Sequence, residues 1–92
     1  MAYVSVAEFD VDIDTHRKII EAVGDDPIRG LIVHVAGPCE AGVRSVDVWE
    51  SKELSDRFFA ERLMPAMAAL DIPGGPPVNF EEFDAPVVVR GS

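Results

Sequence analysis

Drawn as a hairpin, the stretch from Leu31 to Glu50 sorts its side chains onto two unlike faces. Successive side chains on a strand point to opposite sides. One face takes Leu31, Val33, Val35, Val46 and Val48, all aliphatic. The other takes Ile32, His34, Ala36, Ser45, Asp47 and Trp49. A loop closed by Pro38–Gly42, with Val35 across from Val46, puts His34 across from Asp47. A slip of one residue would drop His34 among valines and oppose Asp47 to an aliphatic, so the first register is predicted. The pattern predicts that helices pack on the aliphatic face. The face with a histidine, a carboxylate and an indole is the place to expect function.

The same patterning predicts the other elements. Tyr3–Phe9 alternates in β-formers and reads as a first strand. Asp12 or Asp14 caps a helix whose apolar stripe is His16, Ile19, Ile20 and Val23, and Gly24 stops it. A loop, Asp25–Gly30, leads into the hairpin. Ser51 caps a second helix with Leu54, Phe58, Phe59 and Leu63 on its buried side. Pro65 lacks a donor and disfavours helix at Met64, so a kink or restart is expected there, with Met67 and Leu70 continuing the apolar side. Asp71–Pro77 is a turn-rich connector, and Val78–Phe83 reads as a fourth strand. Pro86 makes Val87–Arg90 a separate edge piece that reaches toward a second subunit. The order βαββαβ is the ferredoxin-like α+β unit, with helices on one face of an antiparallel sheet. Tyr3, Ser5, Ala7 and Phe9 then lie on an uncovered face too apolar to stay wet. A second copy packed face to face, enclosing a cavity, is the expected solution.

Composition narrows the partners. Ninety-two residues make one domain, spanning 1–92, with enough hydrophobic content (48%) for a core. A chain this short buries only about 60–65% of its unfolded surface, a second reason to expect a homodimer. The net charge of −9 argues against nucleic acid and anionic membranes, which need basic patches. The single cysteine, Cys39, excludes an internal disulfide and fits a cytoplasmic setting. The N-terminal stretch has neither the basic region nor the apolar core of a signal peptide, and no run is long enough to cross a bilayer.

The run VDVWES, Val46 to Ser51, closes the third strand with a tryptophan and opens the second helix with a serine. In this, and in element order over nearly the whole chain, the sequence resembles the dimeric α/β-barrel superfamily, and within it the antibiotic biosynthesis monooxygenase-like family. The resemblance implies two ferredoxin-like units paired into a barrel with a ligand cavity in each. Cofactor-free oxygenases of polycyclic phenols, haem-degrading enzymes, isomerases and decarboxylases share that architecture. Trp49 matches the cavity tryptophan of haem-degrading and some oxygenase members. The haem-degrading members also carry an asparagine on the first strand and a histidine in the second helix. Here those regions hold Ser5, Ala7 and Glu8, and Phe58, Phe59 and Ala60, so haem degradation is not expected.

His34 and Asp47 come from the face sorting alone. A carboxylate on one ring nitrogen fixes the tautomer and raises imidazole basicity, freeing the other nitrogen to take a proton. The plainer reading is a polar pair that only fixes register. On the same face Trp49, Ser45, Ile32, Tyr3, Ser5 and Phe9 are the expected substrate contacts, with Trp49 stacking on a flat ligand or filling the dimer core. His16 reads as a packed or boundary histidine, and Cys39, beside Glu40, as incidental. No phosphate-loop or dinucleotide motif occurs, and no Cys/His spacing supports a metal site, so no cofactor or metal is expected. The expected function is a small cofactor-independent enzyme. It would abstract a proton from a small apolar or aromatic, polyketide-like substrate, followed by oxygenation, isomerisation or cyclisation. The competing expectation is a homodimer that binds a small ligand without turning it over.

Overall fold

Strand β1 (Ala2–Phe9) lies at the middle of the sheet and pairs antiparallel on both sides, with β3 (Gly42–Trp49) and β4 (Asn79–Ala85). Strand β2 (Leu31–Cys39) pairs with β3, giving the order β2-β3-β1-β4. The computed structural model describes residues 1–91. Helix α1 (Ile13–Val23) joins β1 to β2, and helices α2 (Lys52–Phe58) and α3 (Met64–Ala69) join β3 to β4. This is the predicted ferredoxin-like α+β fold. Among the described residues no helix is long and apolar enough to cross a membrane.

Local chemistry sets the helix ends. The Asp12 carboxylate accepts the Thr15 amide at 2.7 Å, and Gly24, at φ +91°, returns its own amide to the Ile20 and Glu21 carbonyls. The Ser51 hydroxyl accepts the Leu54 amide at 3.3 Å. The α-helix is interrupted before Pro65 and resumes at Met64, the restart expected there. A wide π-helical turn, Phe59–Leu63, links α2 to α3, with the Met64 amide reaching back to the Phe59 carbonyl. Pro65 falls in the first turn of α3, where its missing amide is harmless. Phe59, the first residue of the wide turn, is 51% exposed, against the predicted buried position. Arg62, in that turn, donates to the Val23, Asp26 and Pro27 carbonyls and pins it to the end of α1.

The helices cover the face opposite to the one predicted. Trp49 packs its ring against Phe58 of α2 at 5.3 Å, and His34 meets His16 of α1. Trp49 is 2% exposed, while Val33 and Val35 on the other face are 45% and 53% exposed. Aromatic bulk explains the choice. Tyr3 and Trp49, paired across β1 and β3, offer the helices more area than the valines do, and Ala7 and Ser45 leave room beside them. The face away from the helices therefore holds Val4, which is buried, with Val6, Val33, Val35, Val46, Val48 and Phe83, not Tyr3, Ser5, Ala7 and Phe9.

Two further departures concern the sheet edges. A β-bulge at Ile32 sets Leu31 across from Trp49 and Val33 across from Val48. Strand β4 runs on to Ala85, two residues past the predicted end, because Asp84 and Ala85 find partners in Tyr3 and Ala2. With β1 used up there, Val87–Arg90 is not a strand; it lies irregular and exposed along the start of β2.

Candidate functional site

Strand register builds the first half of the site. His34 lies across from Asp47, as the face sorting predicted, and its Nδ1 bonds the Asp47 carboxylate. The second half comes from α1. His16 and Ile19 are three residues apart on one helical face, and Ile19 is buried against the sheet, so His16 faces the sheet too. Its Nε2 stands 3.2 Å from the His34 Nε2, with ring centroids 5.3 Å apart. Asp47, His34 and His16 thus form one continuous chain of hydrogen bonds. The His34 and Asp47 side chains each remain 26% exposed, so the chain is held by protein and reached by solvent.

The donors and acceptors of this chain can be counted. The Asp47 carboxylate only accepts, so His34 Nδ1 carries a hydrogen. When both rings are neutral, His34 Nε2 is a lone pair, and the hydrogen between the rings belongs to His16 Nε2. The bare nitrogen of the chain is then His16 Nδ1. Charge follows the same logic. The hydrogen bond to Asp47 holds His34 above the ordinary imidazole range, against the opposing effect of burial. Burial and the neighbouring His34 hold His16 below that range, with Asp47 drawing it partly back.

The remaining predicted residues fall at graded distances from this chain. Ser5 is in its row, directly across from Asp47. Trp49 and Tyr3 form the next row on one side. The indole N–H is buried, with no hydrogen-bond partner among the described residues. Burial, and then Glu82, hold the Tyr3 hydroxyl above its usual range, and the Lys52 ammonium lies 6.0 Å from its ring centroid. Ser45 is buried in the row on the other side, between Ala7 and Ala36. Phe9 is one row further, across from Val43, and is not brought to the histidines. Ile32 sits at the bulge, outside the paired register, and lines a groove with Val33, Val48 and Val88.

His16 is the residue that sequence reasoning missed. Its helical spacing was visible, but with the helices assigned to the valine face nothing pointed it at His34. Two open grooves, of about 500 and 290 Å³, lie on the valine side of the sheet and touch none of these three residues. Among the described residues no three histidine, cysteine, aspartate or glutamate side chains are grouped to hold a metal ion.

No protein-family model and no curated protein matches the chain. Solved structures do resemble it. A Chloroflexus aurantiacus J-10-fl protein, provisionally assigned as an antibiotic biosynthesis monooxygenase, aligns over 99% of this chain and 98% of its own, at 15% identity and a TM-score of 0.69. A Nitrosomonas europaea protein of unknown function aligns over 99% and 93%, at 13% identity and a TM-score of 0.61. A Streptomyces coelicolor monooxygenase in complex with nanaomycin D aligns over 99% and 91%, at 21% identity and a TM-score of 0.52. At these identities the likeness establishes the fold, and the antibiotic biosynthesis monooxygenase-like proteins are among those that share it.

Proposed function

We propose that this chain abstracts a proton from a small, largely apolar or aromatic molecule, with His34, oriented by Asp47, as the basic centre. The observation that carries this reading is the unbroken Asp47–His34–His16 chain, partly open to solvent. A carboxylate-held imidazole is the arrangement general-base catalysis needs, and such a base is worth about 10²–10⁴ in rate. Trp49, Tyr3 and Ser5 would line the substrate's side of the sheet, the Trp49 N–H meeting an oxygen on it. The substrate anion would then give an electron to dioxygen, isomerise or close a ring. The Streptomyces coelicolor protein of the same fold is a monooxygenase in complex with a small molecule, nanaomycin D, which supports a small-molecule substrate. The chain would work as a homodimer joined through its uncovered valine face.

A second reading, binding without turnover, draws on one observation: His34 Nε2 is already engaged by His16. Anthrone separates the two. It is a flat tricyclic ketone with an acidic CH₂ beside its aromatic rings. Under nitrogen in D₂O, the protein should speed deuterium uptake at that carbon, and His34→Ala should return the rate to background. Trp49 is the only tryptophan, so its quenching reports binding. Quenching with no gain in deuterium uptake would establish binding alone and remove the catalytic reading.

A further inference from the structure

We infer that His16 Nδ1 is the port through which the substrate proton enters, and that His34 is where the charge comes to rest. This rests on the proposed function and names the atom that meets the substrate. Geometry carries it. His34 has both ring nitrogens engaged, Nδ1 by Asp47 and Nε2 by His16. His16 has one engaged, through Nε2, and no hydrogen-bond partner at Nδ1 among the described residues.

The step balances within the three residues. The substrate's bond to hydrogen breaks, and its electron pair stays on the substrate. A new N–H bond forms at His16 Nδ1. The His16 Nε2–H bond breaks as its hydrogen passes to His34 Nε2, across the 3.2 Å between the rings. His34 is then an imidazolium paired with the Asp47 carboxylate, and His16 is again neutral. Its tautomer has switched from Nε2–H to Nδ1–H. Reversing the sequence returns the proton to product.

Electrostatics agrees with the direction of transfer. The charges acting on His16 are His34 from β2 and Asp47 from β3; the one acting on His34 is Asp47. The opposite shifts of the two rings place the first proton on His34. A substrate proton therefore moves one ring inward and ends beside the carboxylate, while the neutral ring faces the substrate.

Both histidines of the chain belong to this pair, so ¹⁵N-labelled protein gives imidazole signals from no other residue. Long-range ¹H–¹⁵N correlation across pH should show His16 as the Nε2–H tautomer in the alkaline form. As His34 takes one proton, His16 should stay neutral and become the Nδ1–H tautomer. His16 remaining Nε2–H throughout, or both rings charging together, would overturn the relay. In the anthrone assay His16→Gln keeps a donor toward His34 but cannot pass a proton on. It should lose about 10²-fold or more in deuterium uptake, in the range of a general-base loss, with circular dichroism unchanged. Wild-type exchange in His16→Gln would also overturn the relay and leave His34 as the direct base. If the wild type does not exchange anthrone, the proposed function fails, and the relay stands or falls on the tautomer switch alone.

Discussion

His16 and His34 are 18 positions apart in the chain, and their Nε2 atoms meet at 3.2 Å. One hydrogen must serve both nitrogens, so the state of either ring dictates the state of the other. Asp47, on the far nitrogen of His34, breaks the symmetry between the two rings.

This asymmetry sets how the pair affects stability with pH. His34 has a raised folded value, so its contribution is complete below the unfolded imidazole value of about 6.5 and is lost as pH rises through the folded one. His16 has a depressed folded value, so its contribution is complete above about 6.5 and is lost as pH falls through the folded one. Together they place a stability maximum near pH 6.5. Thermal melts between pH 5 and 8 should show it. His16→Gln should flatten the acid limb specifically, leaving the decline on the alkaline side.

The valine face predicts self-association. Val33 and Val35 are about half exposed beside Val46, Val48 and Phe83, an apolar surface that the C-terminal stretch borders only at the Val33–Val48 end. Light scattering on a sizing column should give the mass of two chains at micromolar concentration. Val35→Lys, at an exposed position, should fold normally and run as a monomer. A wild-type monomer with native circular dichroism would contradict this.

Much of the architecture was legible because period-two alternation, helix caps and Gly24 are local signals. The His34–Asp47 register was legible for the same reason: any slip mixes valines with polar residues. Which face the helices cover was not. Both faces of the hairpin carry apolar residues, and the choice depends on how Trp49 meets Phe58, a contact between α2 and β3. His16 was lost with it, since a helical histidine has a meaning only once its facing strand is known. The wide turn at Phe59–Leu63 was hidden because Pro65 announces a problem for the helix without saying how it is solved.

Gly42 is the glycine that the fold demands. Its φ is +140°, and a Cβ there would press into the backbone carbonyls of Phe9 and Val11. Gly42→Ala should lower the stability measured by urea unfolding by about 1–3 kcal/mol, in the range of local backbone strain. Gly37→Ala, on the neighbouring strand with open space around its Cβ, should stay within about 1 kcal/mol of wild type.

Trp49 separates packing from binding. Its indole N–H has no hydrogen-bond partner among the described residues. Trp49→Phe should therefore lose packing area but no hydrogen bond within the fold. Anthrone binding, followed by calorimetry, should weaken by about 5–10-fold, the worth of one neutral hydrogen bond. Equal affinity in the two proteins would show that the indole does not meet the ligand's oxygen.

The most direct test of the central claim is deuterium uptake by anthrone, per folded molecule, in Asp47→Asn. The substitution keeps size and fold. It removes the charge that holds His34 in its tautomer and raises its basicity. If the Asp47–His34–His16 chain moves protons, uptake per folded molecule should fall by about 10²–10⁴, with native circular dichroism retained. Unchanged uptake in Asp47→Asn, with a loss of stability instead, would mean that the carboxylate and the imidazoles only hold the strands in register.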